Sequence, residues 1–168
     1  MAGFIQNRLI EVAAGLATAG GVAVAASGSQ AKPAGITVQV ALQVAGAAYT
    51  ASGSGKCIFS DDSSIFDAPG SQWGVRHQDT NRGVNFTLWR LKKGGGGLTL
   101  FVTTGGKTHR VNTLPVGPAA NRHGSGSATF EKRGTGGAFT IDAVADTGAK
   151  ITGQLTCSAF AKPEDNGE

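Results

Sequence analysis

From residue 33 onward, short alternating runs of apolar and polar residues are cut repeatedly by glycine, and this punctuation most restricts the fold. Successive side chains of a strand point to opposite faces, so a period of two marks a strand with one buried and one solvated face. Ile36, Val38, Val40 and Leu42 alternate in this way with Thr37, Gln39 and Ala41. Residues 51–55 (Ala-Ser-Gly-Ser-Gly) read as a turn, and a strand carrying Cys57 follows. Three aspartates, several serines and Pro69-Gly70 make residues 60–72 a long loop or a short capped helix. Trp73 to His77 reads as a short edge strand. Residues 84–91 and 98–104 form the strongest strand pair, and 107–114, 126–132, 137–144 and 149–158 complete a set of about eight short strands. No segment after residue 33 carries a helical period, which argues against a parallel α/β sheet. The 27 glycines show no G-X-Y period, which excludes collagen, and the five prolines are too few for a disordered chain. The predicted fold is therefore all-β: an antiparallel β-sandwich or partly open barrel.

The first 31 residues read as a targeting segment. Arg8 ends a weakly basic start, and Val12 to Ala26 is apolar and uncharged. Ala23-Val24-Ala25 and Ser29-Gln30-Ala31 both offer the small-x-small pattern of signal-peptidase sites. The alternative is an uncleaved apolar N-terminal helix, through which alone the chain would touch a membrane. Residues 32–160 form the β domain, and 161–168 an acidic disordered tail with Glu164, Asp165 and Glu168. Cys57 and Cys157 are the only cysteines, and each sits in a strand-like run. Two thiolates without a CxxC spacing cannot make a cysteine-rich zinc site. In an oxidising compartment they read as one disulfide, and in the cytosol as two buried thiols.

Charge is segregated along the chain. Between Arg76 and Arg133 there are ten Lys or Arg residues, opposed only by Asp79 and Glu131. That excess favours an anionic partner, an acidic glycan rather than a specific nucleic acid, unless the charges balance in space. Pairing Leu88 with Val102, Phe86 with Thr104 and Trp89 with Phe101 gives the central hairpin one apolar face. Its other face carries Trp89 and Phe101, with Arg90 next in sequence and Lys92 and Lys93 at the tip. These five residues are the candidate ligand site, a stacking platform beside positive charge. The competing reading is a sheet face covered by a loop or by the N-terminal segment.

Enzymatic motifs are incomplete. Gly53-Ser54-Gly55-Lys56 resembles the end of a phosphate-binding loop, but Cys57 stands where Ser or Thr must hold magnesium. There is no G-x-S-x-G elbow, and neither a cofactor nor a metal is expected. His77, His109 and His123 lack metal-ligand spacing and read as solvent-exposed. A secreted hydrolase or enzyme inhibitor remains the alternative function, with a site built from Asp61, Asp62, His77, His109 and His123 converging from separate loops.

The C-terminal third carries Ser127-Ala128-Thr129-Phe130, Phe139-Thr140-Ile141-Asp142, and Lys150 through Ser158 with its Leu155-Thr156-Cys157-Ser158 end. This pattern resembles the end of the mycobacterial nineteen-kilodalton lipoprotein antigen family, whose partner cysteine also lies early in the mature domain. The resemblance implies an exported, envelope-associated protein with no established catalytic activity. Ser27 stands where the family's lipidated cysteine would be, so a lipid anchor does not follow. The expected function is a non-enzymatic binding or surface module, secreted or in the cell envelope, for an anionic or carbohydrate ligand.

Overall fold

The computed structural model describes residues 35–163. The targeting segment expected over residues 1–31 and the acidic residues Glu164, Asp165 and Glu168 lie outside the described residues. Ten strands run in order: β1 (Thr37–Val44), β2 (Ala47–Ser54), β3 (Lys56–Ile65), β4 (Ala68–Gln78), β5 (Gly83–Leu91), β6 (Gly96–Thr104), β7 (Lys107–Asn112), β8 (Ser125–Arg133), β9 (Gly136–Val144) and β10 (Lys150–Cys157). They form two antiparallel sheets of five, ordered β2-β1-β10-β9-β8 and β3-β4-β5-β6-β7, which pack as an open β-sandwich. Neighbours in sequence are neighbours in space, except where the chain changes sheet between β2 and β3 and between β7 and β8.

The β2–β3 crossing is a single residue, Gly55. A Cβ there would lie 2.5 Å from the Arg76 carbonyl oxygen and 2.6 Å from Val38 Cγ2, so only glycine lets the chain turn this tightly against β1 and β4. Beside this crossing the Cys57–Cys157 disulfide ties β3 to β10 and so joins the sheets covalently. The chain beyond β10 then covers the outer edge of β3. Ala161 donates to the Cys57 carbonyl and accepts from the Phe59 amide, both at 2.9 Å. Ala161, assigned from sequence to the tail, is therefore a bonded part of the domain. The opposite flank is closed by the β9–β10 turn against β7: the Asp146 amide donates to the Arg110 carbonyl, and Asp146 Oδ1 accepts from the Arg110 amide.

Inward-facing residues alternate as the period of two requires. Val38, Val40, Leu42 and Val44 from β1 meet Phe86 and Leu88 of β5, Leu98, Leu100 and Val102 of β6, and Phe139, Ile141, Ile151 and Leu155. Each such side chain stabilises the fold by about 1.5–3 kcal/mol when fully buried.

Several details differ from the sequence reading. Residues 51–55 are not a turn: β2 runs to Ser54, because Tyr49 and Ala51 turn inward while small polar residues face out on a sheet edge. Residues 60–72 are not a loop or helix but the long β3–β4 hairpin. A one-residue bulge at Asp61-Asp62, between the Ser60–Gln72 and Ser63–Gly70 pairs, breaks the alternation and hides the strand. Its turn is Phe66-Asp67, both at positive φ. Trp73 to His77 lies inside β4, paired with β5 throughout and with β3 as far as Arg76, rather than at an edge. The set is ten strands rather than eight.

Candidate ligand-binding face

The β5–β6 register is the largest correction at the expected site. Only Lys92 to Gly95 form the tip, and Gly96 and Gly97 are strand residues pairing with Arg90 and Trp89. Val84 consequently faces Val102, Phe86 faces Leu100 and Leu88 faces Leu98. The shift is an even number of residues, so the apolar face stays apolar, but Trp89 and Phe101 are not partners. Phe101 pairs with Asn85, four residues from Trp89, or about 13 Å along the strand.

Trp89 is 6 % exposed and outside the sandwich core. It faces Gly97, beyond which the chain after β7 passes close: a Cβ at Gly97 would lie 2.9 Å from Leu114 Cα, and Leu114 is buried too. Trp89 is thus covered and presents no platform. Arg90 points to the inner side, with its guanidinium carbon 5.2 Å from the Trp73 ring centroid. Lys92 is tied to Asp62 at 2.9 Å, and Lys93 sits beside it at the tip. The structure therefore separates the five expected site residues into four places: Trp89 under the chain after β7, Phe101 on the outer face, Arg90 on the inner side, and Lys92 with Lys93 at the tip.

What it assembles instead is a row across the outer face of the second sheet. Lys56, Arg76, Asn85, Phe101 and Arg110 are cross-strand neighbours on β3 to β7 in turn. Phe101 is 42 % exposed between Asn85 and Arg110. Beside this row a cavity of about 540 Å³ opens between the β4–β5 and β6–β7 turns, lined by Arg76, Arg82, Asn85, Phe101 and Thr103 among others. From β4 to β7 there are seven Lys or Arg residues and one acid, Asp79. Asp79 is held by Arg82 at 3.1 Å. Arg110 is held by Asp146 at 2.9 Å, and hydrogen bonds from the Arg110 amide and then its guanidinium keep the Asp146 carboxyl below the ordinary aspartate range. Arg76 and Asn85 line the same cavity as the exposed ring. Planar donors flanking an aromatic surface can bind carboxylates and hydroxyls over an apolar ring face.

Beneath the β4–β5 turn, Tyr49 is buried with the Arg82 guanidinium carbon 5.2 Å from its ring centroid. Burial, and then the Asp79 carboxylate, push the phenol up from its usual range, against a smaller opposing pull from Arg82.

The histidines of the alternative hydrolase site do not converge. His77 and His109, expected to be exposed, are 7 % and 8 % exposed. They stand at the two flanks of one inward row, His77–Val84–Val102–His109. His77 Nδ1 is 3.3 Å from the Ser54 carbonyl, and His109 Nδ1 is 2.8 Å from Thr147 Oγ1. Each bridges the sheets at a seam, which buries it. His123 pairs through its backbone with Asn112, and Asp61 and Asp62 sit in the β3 bulge. Among the described residues no group of three His, Cys, Asp or Glu side chains can hold a metal ion.

The fold and face define a disulfide-tied, two-sheet β-sandwich with a basic, aromatic outer surface. Comparison with protein-family models, with curated protein sequences and with solved structures gives no match.

Proposed function

We propose that this protein is a non-enzymatic binding module of the cell envelope or secreted space, and that the Arg76–Asn85–Phe101 face takes an acidic glycan. The exposure of Phe101 inside a cationic, amide-bearing row carries this reading. Large aromatics are normally withdrawn from water, and one exposed on an ordered strand among hydrogen-bond donors suits a sugar ring. Arg76 supplies the fork that pairs with a uronate carboxylate, and Asn85 supplies a donor and an acceptor for hydroxyls. The disulfide is consistent with an oxidising compartment, and the apolar segment before residue 31 and the resemblance to exported lipoprotein antigens point the same way.

Titration with an oligogalacturonate over a range of salt concentrations tests the reading. The wild-type affinity falls as salt rises, because surface charge interactions are screened. Arg76→Gln flattens that dependence, and Phe101→Ala weakens binding about tenfold or more with little loss of stability. Binding that both variants leave intact would remove the ligand from this face.

A further inference from the structure

On the inner face of the second sheet, four residues along β4 from His77, aromatic rings gather around an open space at Trp73. Phe59 and Trp73, neighbours on β3 and β4, have ring centroids 5.0 Å apart. Phe130 of β8 comes within 5.3 Å of Trp73, and Phe160, beyond β10, lies 5.8 Å from Phe130. Phe139 is wholly buried behind them, 5.0 Å from Phe130 and 6.1 Å from Phe160. Phe59, Trp73, Phe130 and Phe160 line a cavity of about 510 Å³ that opens to solvent. That volume falls within the range of small-molecule sites, about 300–1,000 Å³.

The wall is built rather than accidental. Gly136 and Gly137 open β9 directly behind Phe130, and a Cβ on Gly137 would run into the Phe130 ring. Among the described residues, the one charged side chain lining the cavity is cationic. Lys132 follows Phe130 on the same side of β8 and lines the cavity, and Arg90 sits over the Trp73 ring at 5.2 Å. Glu131 and Arg133, on the alternate side of β8, pair with each other at 2.7 Å. Among the described residues no acidic side chain lines the cavity, and neither Lys132 nor Arg90 forms an ion pair with a carboxylate.

We propose that this end cavity binds a small aromatic anion: a planar aromatic body laid against Trp73, Phe130 and Phe160, with its carboxylate at Lys132. At these separations the rings already touch one another in tilted and edge-on pairs, and a guest stacks on the faces they leave toward the cavity. The charge at the rim selects its head group. This site is independent of the outer face, which lies on the opposite side of the second sheet.

Nuclear magnetic resonance on the intact protein tests it, because Trp73 and Trp89 are the only two indoles and each gives one side-chain N–H signal. Titration with 2-naphthoate shifts the Trp73 signal and leaves that of Trp89 in place. The cationic 2-naphthylmethylammonium binds about tenfold more weakly or worse, as the charge at the rim requires. Phe160→Ala and, separately, Lys132→Glu each weaken 2-naphthoate about tenfold. Both substitutions are at partly or fully exposed positions whose backbone bonds remain, so the folded spectrum persists. Equal affinity for anion and cation, movement of Trp89 in place of Trp73, or indifference to both variants overturns the proposal.

Discussion

Removing the disulfide is the perturbation with the largest effect that the architecture lets one calculate. Cys57 and Cys157 are 100 residues apart in sequence, with Cα atoms 6.2 Å apart, and both are buried. Closing a loop of that length restricts the unfolded chain by about 4.7 kcal/mol in the chain-entropy treatment. A domain of this size has roughly 5–15 kcal/mol to lose. The bond also sits where the chain between β2 and β3 is one residue long and where Ala161 holds the β3 edge through two backbone bonds. In the double variant Cys57→Ala/Cys157→Ala those contacts survive, so the loss is expected to be about 3–5 kcal/mol. Urea denaturation of oxidised wild type and variant, followed by fluorescence and circular dichroism, measures it. A loss below about 1 kcal/mol would show that the fold draws its stability from the sheets alone, and would refute the reasoning.

Four further outcomes are expected. Trp89→Ala lowers stability by roughly 3–5 kcal/mol, because it empties a covered site, and it leaves oligogalacturonate affinity unchanged once the folded fraction is accounted for. Tyr49→Phe is neutral or stabilising by about 1 kcal/mol in urea denaturation, since the buried Tyr49 hydroxyl has no hydrogen-bond partner among the described residues; a clear loss would reveal one. Ala45→Asn gives the β1–β2 turn, where Ala45 and Gly46 have φ of 52° and 83°, the Asn-Gly pair that such turns favour, and raises the urea midpoint by the equivalent of about 0.5–1 kcal/mol. The Asp146 carboxyl is depressed in the folded state, so its contribution is present above the ordinary aspartate pKa and is lost as pH falls through the lower folded value. Asp146→Asn should therefore flatten the acid side of the stability profile in that window, and an unchanged acid limb would contradict the Arg110 contact.

Much of the fold is legible in the sequence, because a period of two has one physical meaning. The faces of β1, β5 and β6 follow from it, and even a misjudged register kept Val84, Phe86, Leu88, Leu100 and Val102 inside. Register itself was not legible. Four consecutive glycines give no side-chain pattern to show that Gly96 and Gly97 belong to the strand, and a register shift of four residues decides whether Phe101 faces Trp89 or Asn85. The β3–β4 hairpin was hidden by its bulge and by polar residues that sit comfortably at a sheet edge. For the same reason the candidate face was only half visible. Phe101 stood out as an aromatic on a polar face, whereas Arg76 and Asn85 join it only through pairing across three strands. Two buried histidines could not be told from exposed ones, since their partners, Ser54 and Thr147, come from distant parts of the chain.

The most direct test of the binding face is residue-resolved. Backbone and side-chain amide resonances of the full-length protein are followed while an oligogalacturonate is added at low salt. Shifts concentrated at Arg76, Asn85, Phe101 and Thr103, with the Asn85 side-chain amide among the largest, are the predicted result. Shifts confined to the Lys92–Gly95 tip, or none at saturating ligand, would contradict it.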